Sequence, residues 1–325
     1  MRNTFLLAAL ILALNFGAPF SNREAGAQLT KIRASYAGTT GYHLPIWVLK
    51  DEKLDRKYGL DLDLLLIGGG SRVIQALLGG DLQLTHSGAS TVVRAGIAGA
   101  ELVIIATAVN QITWKIVTRK DIKTPADLLG KKMAITARGG SSELGVQLAF
   151  QHWGLDFSKL TLLSLGPTPN RIAALQGGIV DATVLSYPEI IMTTQMGFPV
   201  LADLRQFAEM TDLGVVVGRA TLAKQRPILK RFMQSYVEAI TLLKRQPEAA
   251  YRALSHYTGN KNRAALDETY RFYAESIAAI PRTQPKGWHN LISAFGKKET
   301  EMARLLDMSL LDELQREGFF ERIQK

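Results

Sequence analysis

Cysteine is absent from the 325 residues, which removes disulfides, thiolate-bound zinc, iron–sulfur clusters, a thiolate nucleophile and any lipid anchor attached through sulfur. Histidine is scarce as well. The five present, His43, His86, His152, His256 and His289, include no pair at i, i+4 and none beside a carboxylate at metal-site spacing, so neither a metal nor any other cofactor is expected. Long blocks of one charge are also missing. Lys plus Arg number 39 against 29 Asp plus Glu, for a net charge of +10. The basic residues fall in isolated pairs such as Lys131-Lys132 and Lys297-Lys298, with no helix-turn-helix, zinc or RNA-binding signature, which argues against nucleic acid as a partner.

The apolar run from Phe5 to Phe16 is about 12 residues long, short of the roughly 20 that cross a bilayer. Arg2 precedes it and Ala25-Gly26-Ala27 follows, the small-x-small pattern of a cleaved export signal. Residues 1–27 therefore read as a signal peptide cut after Ala27. Removal of Arg2, Arg23 and Glu24 with it leaves a charge near +9 on a soluble exported protein.

From Thr30 onward β-rich runs alternate with helical patterns, the mark of an α/β fold with a mostly parallel sheet under helices. Strands are expected at 31–37, 60–67, 82–85 and 102–108, with helices at 44–58, 71–78 and 89–97 between them. The strand at 60–67 (LDLDLLLI) begins in strict alternation and ends wholly apolar, as a buried strand does. A second round follows, with strands at 132–136, 160–165, 182–185 and 200–202 and helices at 142–153, 170–176 and 189–196. After a strand at 213–218 the pattern is helical, with Pro227 marking a helix start. Two lobes follow from this: 28–118 and 119–213, with 214–325 returning to the first as a helical tail. The stretches 114–119 and 213–218 would cross between them as a two-strand hinge.

An internal repeat supports two lobes of one plan. Val73-Ile-Gln-Ala-Leu-Leu-Gly-Gly80 aligns with Arg171-Ile-Ala-Ala-Leu-Gln-Gly-Gly178 at a constant offset of 98, and Thr85 then matches Thr183. Both read as a helix closed by glycine and followed by a strand.

Ligands of open α/β sheets bind beyond the carboxyl ends of the strands, where the first amides of the next helix are unpaired. Here those loops are rich in glycine and hydroxyl residues: Gly38-Thr39-Thr40-Gly41-Tyr42, Gly68-Gly69-Gly70-Ser71, Ser87-Gly88-Ala89-Ser90 and Gly139-Gly140-Ser141-Ser142. Each hydroxyl could instead merely cap its helix. None forms a P-loop, and Gly68-Gly69-Gly70 lacks the full dinucleotide spacing, so ATP and NAD are poor candidates. Tyr42, Trp114 and Tyr187 are the aromatics nearest these loops. Arg72, Arg138 and Arg171 could pair with an anion, though each alone reads as a solvated surface residue.

The chain resembles the periplasmic solute-binding proteins of ABC transporters, in the group for nitrate, sulfonates, taurine and thiamine-pyrimidine precursors. The resemblance rests on His43-Leu-Pro-Ile-Trp-Val-Leu-Lys50 with Tyr58-Gly-Leu-Asp-Leu62, on Ala76-Leu-Leu-Gly-Gly-Asp-Leu82, on Lys123 to Ala134 (KTPADLLGKKMA), and on Ala174 to Ala182 (ALQGGIVDA). It implies a two-lobed type II binding-protein fold, and a monomer that gives a captured solute to ABC permease subunits in the periplasm and does no chemistry on it. By the resemblance, solute contacts come from Thr39, Thr40, Gly41, Gly70, Ser71, Ser87, Gly88, Ser90, Ser141, Ser142 and Tyr187, with Tyr42 beside them. Many relatives have Trp-Asp-Pro where this chain has Ser186-Tyr187-Pro188, which leaves the solute open among sulfonate, taurine-like, nitrate-like and pyrimidine-precursor molecules. The alternative is an enzyme on the same fold that resembles those making the thiamine pyrimidine, with His43 or His86 as its base. A sensor domain of a regulator would need a DNA-binding or membrane segment that the sequence lacks.

Overall fold

The structure is a computed structural model that describes residues 28–68, 70–207 and 209–324, so the expected signal peptide lies outside the described residues. The first lobe runs β1 (Thr30–Tyr36), α1 (Leu44–Asp51), α2 (Leu54–Lys57), β2 (Leu60–Leu66), α3 (Gly70–Leu78), β3 (Leu84–Gly88), α4 (Ala89–Ile97) and β4 (Leu102–Gln111). The second runs β5 (Lys115–Thr118), β6 (Lys132–Ile135), α5 (Ser141–His152), β7 (Thr161–Ser164), α6 (Thr168–Gln176), β8 (Ala182–Leu185), α7 (Glu189–Gln195) and β9 (Val200–Asp203). Then come β10 (Glu209–Gly218) and the tail: α8 (Arg219–Lys224), α9 (Arg226–Arg245), α10 (Pro247–Thr258), α11 (Arg263–Ser276), α12 (Pro285–Ala294), α13 (Glu299–Met302), α14 (Ser309–Arg316) and α15 (Phe319–Ile323). Pro227 does stand in the first turn of α9. Two tail helices, α12 and α15, were not expected as separate elements, and the start of α12 is marked only by Pro285 in its first turn.

Two five-stranded sheets result, ordered β2-β1-β3-β10-β4 and β7-β6-β8-β5-β9. In the first, β1 pairs in parallel with β2 and β3, while β10 runs antiparallel to β3 and β4. The second repeats this arrangement, with β5 as the antiparallel member between β8 and β9. Each sheet is thus mixed, four strands one way and one against. The antiparallel strand of each sheet is the first strand after the chain has changed lobes. The stretches expected to bridge the lobes, 114–119 and 213–218, therefore lie inside the sheets, and β5, expected at the end of the first lobe, belongs to the second. Sheet membership depends on non-local pairing, which a strand's own residues do not carry.

The repeat is real in space. Helices α3 and α6 precede the equivalent strands β3 and β8, in which Thr85 and Thr183 are both fully buried. The Leu-rich end of β2, read as buried, is not: β2 is an edge strand, and Leu65 and Leu66 are 36% and 52% exposed. The opposite edge, β4, is fully buried over Leu102–Val109 because the tail covers it. Thr107 N–H donates to Pro281 O, Ala278 N–H to Ala108 O, and Asp307 N–H to Ile104 O, which closes an edge that would otherwise pair with another chain. The tail packs on the first lobe through α9. Its buried residues Leu229, Phe232, Met233, Tyr236, Val237, Ile240 and Leu243 recur at helical spacing and share one core with Leu44–Leu49 of α1.

Candidate binding cleft

The strand order puts the carboxyl ends of both sheets on facing sides of one cleft. Helices α4, α5 and α6 begin there, with Gly88, Gly140 and Pro167 as their N-caps, and in none does a side chain accept from the first-turn amides. The hydroxyls are therefore not spent on capping. Free amides and positive dipole ends of three helices, each nine residues or longer, face a single space. That space is a cavity of about 80 Å³ lined from the first lobe by residues including Gly38, Thr40, Tyr42, His43, Ser87, Gly88 and Thr91, and from the second by Trp114, Thr136, Gly140, Ser141, Ser142, Thr168 and Arg171. At roughly 10–15 Å³ for each water-sized body, it holds a molecule of a few non-hydrogen atoms.

Of the residues expected to contact a solute, Thr40, Tyr42, Ser87, Gly88, Ser141 and Ser142 line this cavity, while Thr39, Gly41, Ser90 and Tyr187 are not among its lining residues. Gly41 holds the loop in place from behind. Its N–H donates to Tyr187 O at 3.1 Å, and a Cβ on it would fall 2.6 Å from the Tyr273 ring. Ser90 is buried beneath the surface at 1% exposure. The Tyr187 ring turns instead to Phe272, 4.6 Å between centroids, with Lys115 over its other side. Gly70 and Ser71 open α3, but their side chains lie outside the described residues.

One charged group lines the cavity, Arg171, and a second, Asp212, lies behind its lining hydroxyls of Tyr42 and Ser141. Arg171, expected at a solvated surface, is 1% exposed. Its Nε donates to Gly166 O at 3.2 Å, Nη2 to Thr168 Oγ1 at 2.8 Å and Nη1 to Val184 O, and the guanidinium lies 5.6 Å from the Trp114 ring. Two of its five N–H donors remain. Burial lowers its pKa to about 10, opposed by nearby Glu189, so it stays charged at neutral pH. Burial pushes Glu189 up to about 7. The repeat could have revealed this arginine, because it aligns with Val73, which is fully buried in α3.

Asp212 was not foreseen at all. It lies in β10, 2% exposed, with both carboxyl oxygens lacking a hydrogen-bond partner among the described residues. The Tyr42 and Ser141 hydroxyls lie beside it without closing bonds of good geometry. Burial raises it to about 7 while those two hydroxyls pull it down. Its only sequence signal was a carboxylate in an apolar run, MTDLGVVVG. Trp114 connects the two groups, since its Nε1–H donates to Ser141 Oγ at 3.1 Å.

The imidazoles on the floor form a fixed relay. Ala37 N–H donates to His43 Nε2 at 3.3 Å, the two Nδ1 atoms of His43 and His86 are 3.0 Å apart, and His86 Nε2 is 2.6 Å from Tyr236 Oη. An amide can only donate, so His43 carries its proton on Nδ1 and gives it to His86, which in turn donates from Nε2 to Tyr236. Burial lowers His43 to about 3, and burial together with His43 holds His86 well below its ordinary value. Both are neutral at pH 7 with every ring nitrogen engaged, which leaves neither free to act as a base.

The fold and its cleft are those of two-lobed binding proteins, and the chain belongs to the NMT1/THI5 like family, whose model matches residues 41–250. A taurine-binding periplasmic protein of Escherichia coli (strain K12) is 27% identical over 194 residues, 58% of this chain and 59% of that one. The match thus spans about three fifths of that relative's length. Among solved structures, a protein of Bordetella bronchiseptica RB50 aligns with a TM-score of 0.79 at 17% identity, covering 90% of this chain and 98% of its own. The alkanesulfonate-binding protein SsuA of Xanthomonas axonopodis pv. citri, bound to MOPS, aligns at 0.70 and 21% identity, covering 86% and 94%. The periplasmic nitrate-binding protein NrtA of Synechocystis PCC 6803 aligns at 0.72 and 13% identity, covering 89% of each chain. These similarities establish the shared fold.

Proposed function

We propose that the chain is the solute-binding component of an ABC importer, exported to the periplasm by residues 1–27, and that its solute carries an anionic group together with an amino group. Taurine, 2-aminoethanesulfonate, is the simplest such molecule. The observation that carries this reading is a buried Arg171 with spare donors on the wall of one small cavity, and a buried Asp212 with unpartnered acceptors directly behind the lining hydroxyls of Tyr42 and Ser141. A guanidinium and three helix N-termini favour an anion, whereas an ammonium would supply the donors that the carboxylate lacks. The taurine-binding relative and the alkanesulfonate-binding neighbour support the same class.

Function then follows from closure. Contacts from both lobes exist together only in the closed form, so the solute binds that form more tightly, and a preference of about 5.5 kcal/mol carries a two-state balance from 1:99 to 99:1. The closed monomer is what the permease subunits recognise. The solute leaves unchanged, since His43, the one imidazole among the lining residues, has both nitrogens committed. The excess positive charge draws anions toward the cleft. Calorimetric titration tests the reading. Taurine binds, ethanesulfonate without the amine binds at least tenfold more weakly, and Arg171→Met weakens both by about 10- to 100-fold. A neutral heterocycle that outbinds taurine and is indifferent to Arg171→Met would overturn it.

A further inference from the structure

The cavity has a neighbour that the proposed solute does not fill. A second space of about 370 Å³ lies between α3, α4 and the loop before α5, and it shares Thr91, Ala137 and Gly140 with the first. Its walls are mainly small and apolar, Ile74, Ala95 and Ala98, and two guanidinium groups stand at it. Arg138 is occupied, donating to Glu143 Oε1 at 3.0 Å and to Leu162 O at 3.1 Å. Arg94, exposed at the mouth of this space, is not: among the described residues its guanidinium has no hydrogen bond and no carboxylate partner, and it rests 5.3 Å from the Phe295 ring. It reaches from the first lobe to the second, where its Nε would overlap any side chain on Gly139, a residue at φ +78°.

We infer that this annex receives a substituent of the solute, an apolar stretch of a few carbons ending in an anionic group at Arg94, so that the preferred ligand is an N-substituted aminosulfonate larger than taurine. The inference rests on the function proposed above. Three features support it: the shared walls, the volume, which is several times that of the chamber, and an exposed cation with no protein anion, lying against Gly139 beside the shared wall. Thr91, Ala137 and Gly140 line both spaces, so a chain leaving the solute has the annex within reach. Each methylene moved from water into apolar surroundings is worth about fourfold in affinity.

The test titrates the full chain with taurine, N-butyltaurine and N-(3-carboxypropyl)taurine, and repeats this with Ala98→Trp, which plugs the annex, and Arg94→Gln, which removes its charge. N-(3-carboxypropyl)taurine should bind at least tenfold more tightly than taurine. Arg94→Gln should reduce it to the level of N-butyltaurine, and Ala98→Trp should abolish the advantage of both longer compounds over taurine. Equal affinities for the three in the unaltered chain, or a loss in Ala98→Trp that is the same for all three, would overturn the annex while leaving the chamber intact. If none of the three binds, the proposed solute class falls and the annex with it.

Discussion

Replacing Asp212 with Asn separates stability from binding at the residue where the two conflict most. The carboxyl is buried and raised to about 7, against an ordinary value near 3.8. A folded-state pKa above the unfolded one means that the neutral form is no burden below pH 3.8, and that stability is lost as pH rises from there through 7. At about 1.4 kcal/mol per pH unit, the native protein gives up roughly 4 kcal/mol at pH 7.5 and about 1 kcal/mol at pH 4.5 relative to a group that does not titrate. Asp212→Asn keeps the shape, and its amide can bond the Tyr42 and Ser141 hydroxyls. The variant should therefore be about 4 kcal/mol more stable than the unaltered chain at pH 7.5, with that gain shrinking to about 1 kcal/mol at pH 4.5. Taurine affinity should fall at least tenfold, because no carboxylate is left for the amine. Urea unfolding at the two pH values reads the first effect and calorimetry the second. A variant less stable at pH 7.5, or a gain that does not shrink on acidification, would show that burial does not raise the carboxyl and would refute the reasoning.

Other residues give independent checks. Arg171→Met should weaken taurine binding by about 10- to 100-fold through loss of a charge-assisted hydrogen bond, read by titration at neutral pH; an unchanged affinity would remove Arg171 from the site. Gly41→Ala places a methyl into the Tyr273 ring and should cost about 1–3 kcal/mol of overpacking, seen as a lower urea midpoint, with an unshifted midpoint as the contrary result. The His43–His86 pair has folded pKa values below the unfolded 6.5, so its contribution is complete above pH 6.5 and declines as pH falls toward 3. Nitrogen-15 spectra should show neither imidazole titrating between pH 5 and 8, and a protonation midpoint in that window would contradict the relay.

Much of the architecture is written locally. The turnover of β-rich and helical stretches, the glycine-terminated helices and the offset-98 repeat identify two similar lobes, and the hydroxyl-bearing loops mark the cleft: Thr40, Tyr42, Ser87, Gly88, Ser141 and Ser142 all reach it. What depends on distant partners was not legible. β5 and β10 show no sign in their own residues that each pairs inside a sheet. Leu65 and Leu66 look like core but lie on an edge strand, whereas β4, also at an edge, is buried by a tail some two hundred residues further on. Charge misled in the same way: Arg171 read as solvated because arginine generally is, although its repeat partner Val73 marks a buried position. Tyr187 read as a cleft aromatic because it follows a strand, yet Phe272 from the tail claims its ring.

The claim that both lobes clamp one solute is met most directly by small-angle X-ray scattering with and without a compound that calorimetry shows to bind. Closure over a cavity lined by both lobes predicts a smaller radius of gyration in the bound sample, lost again in Arg171→Met at the same solute concentration. An unchanged radius with the site demonstrably saturated would contradict the account.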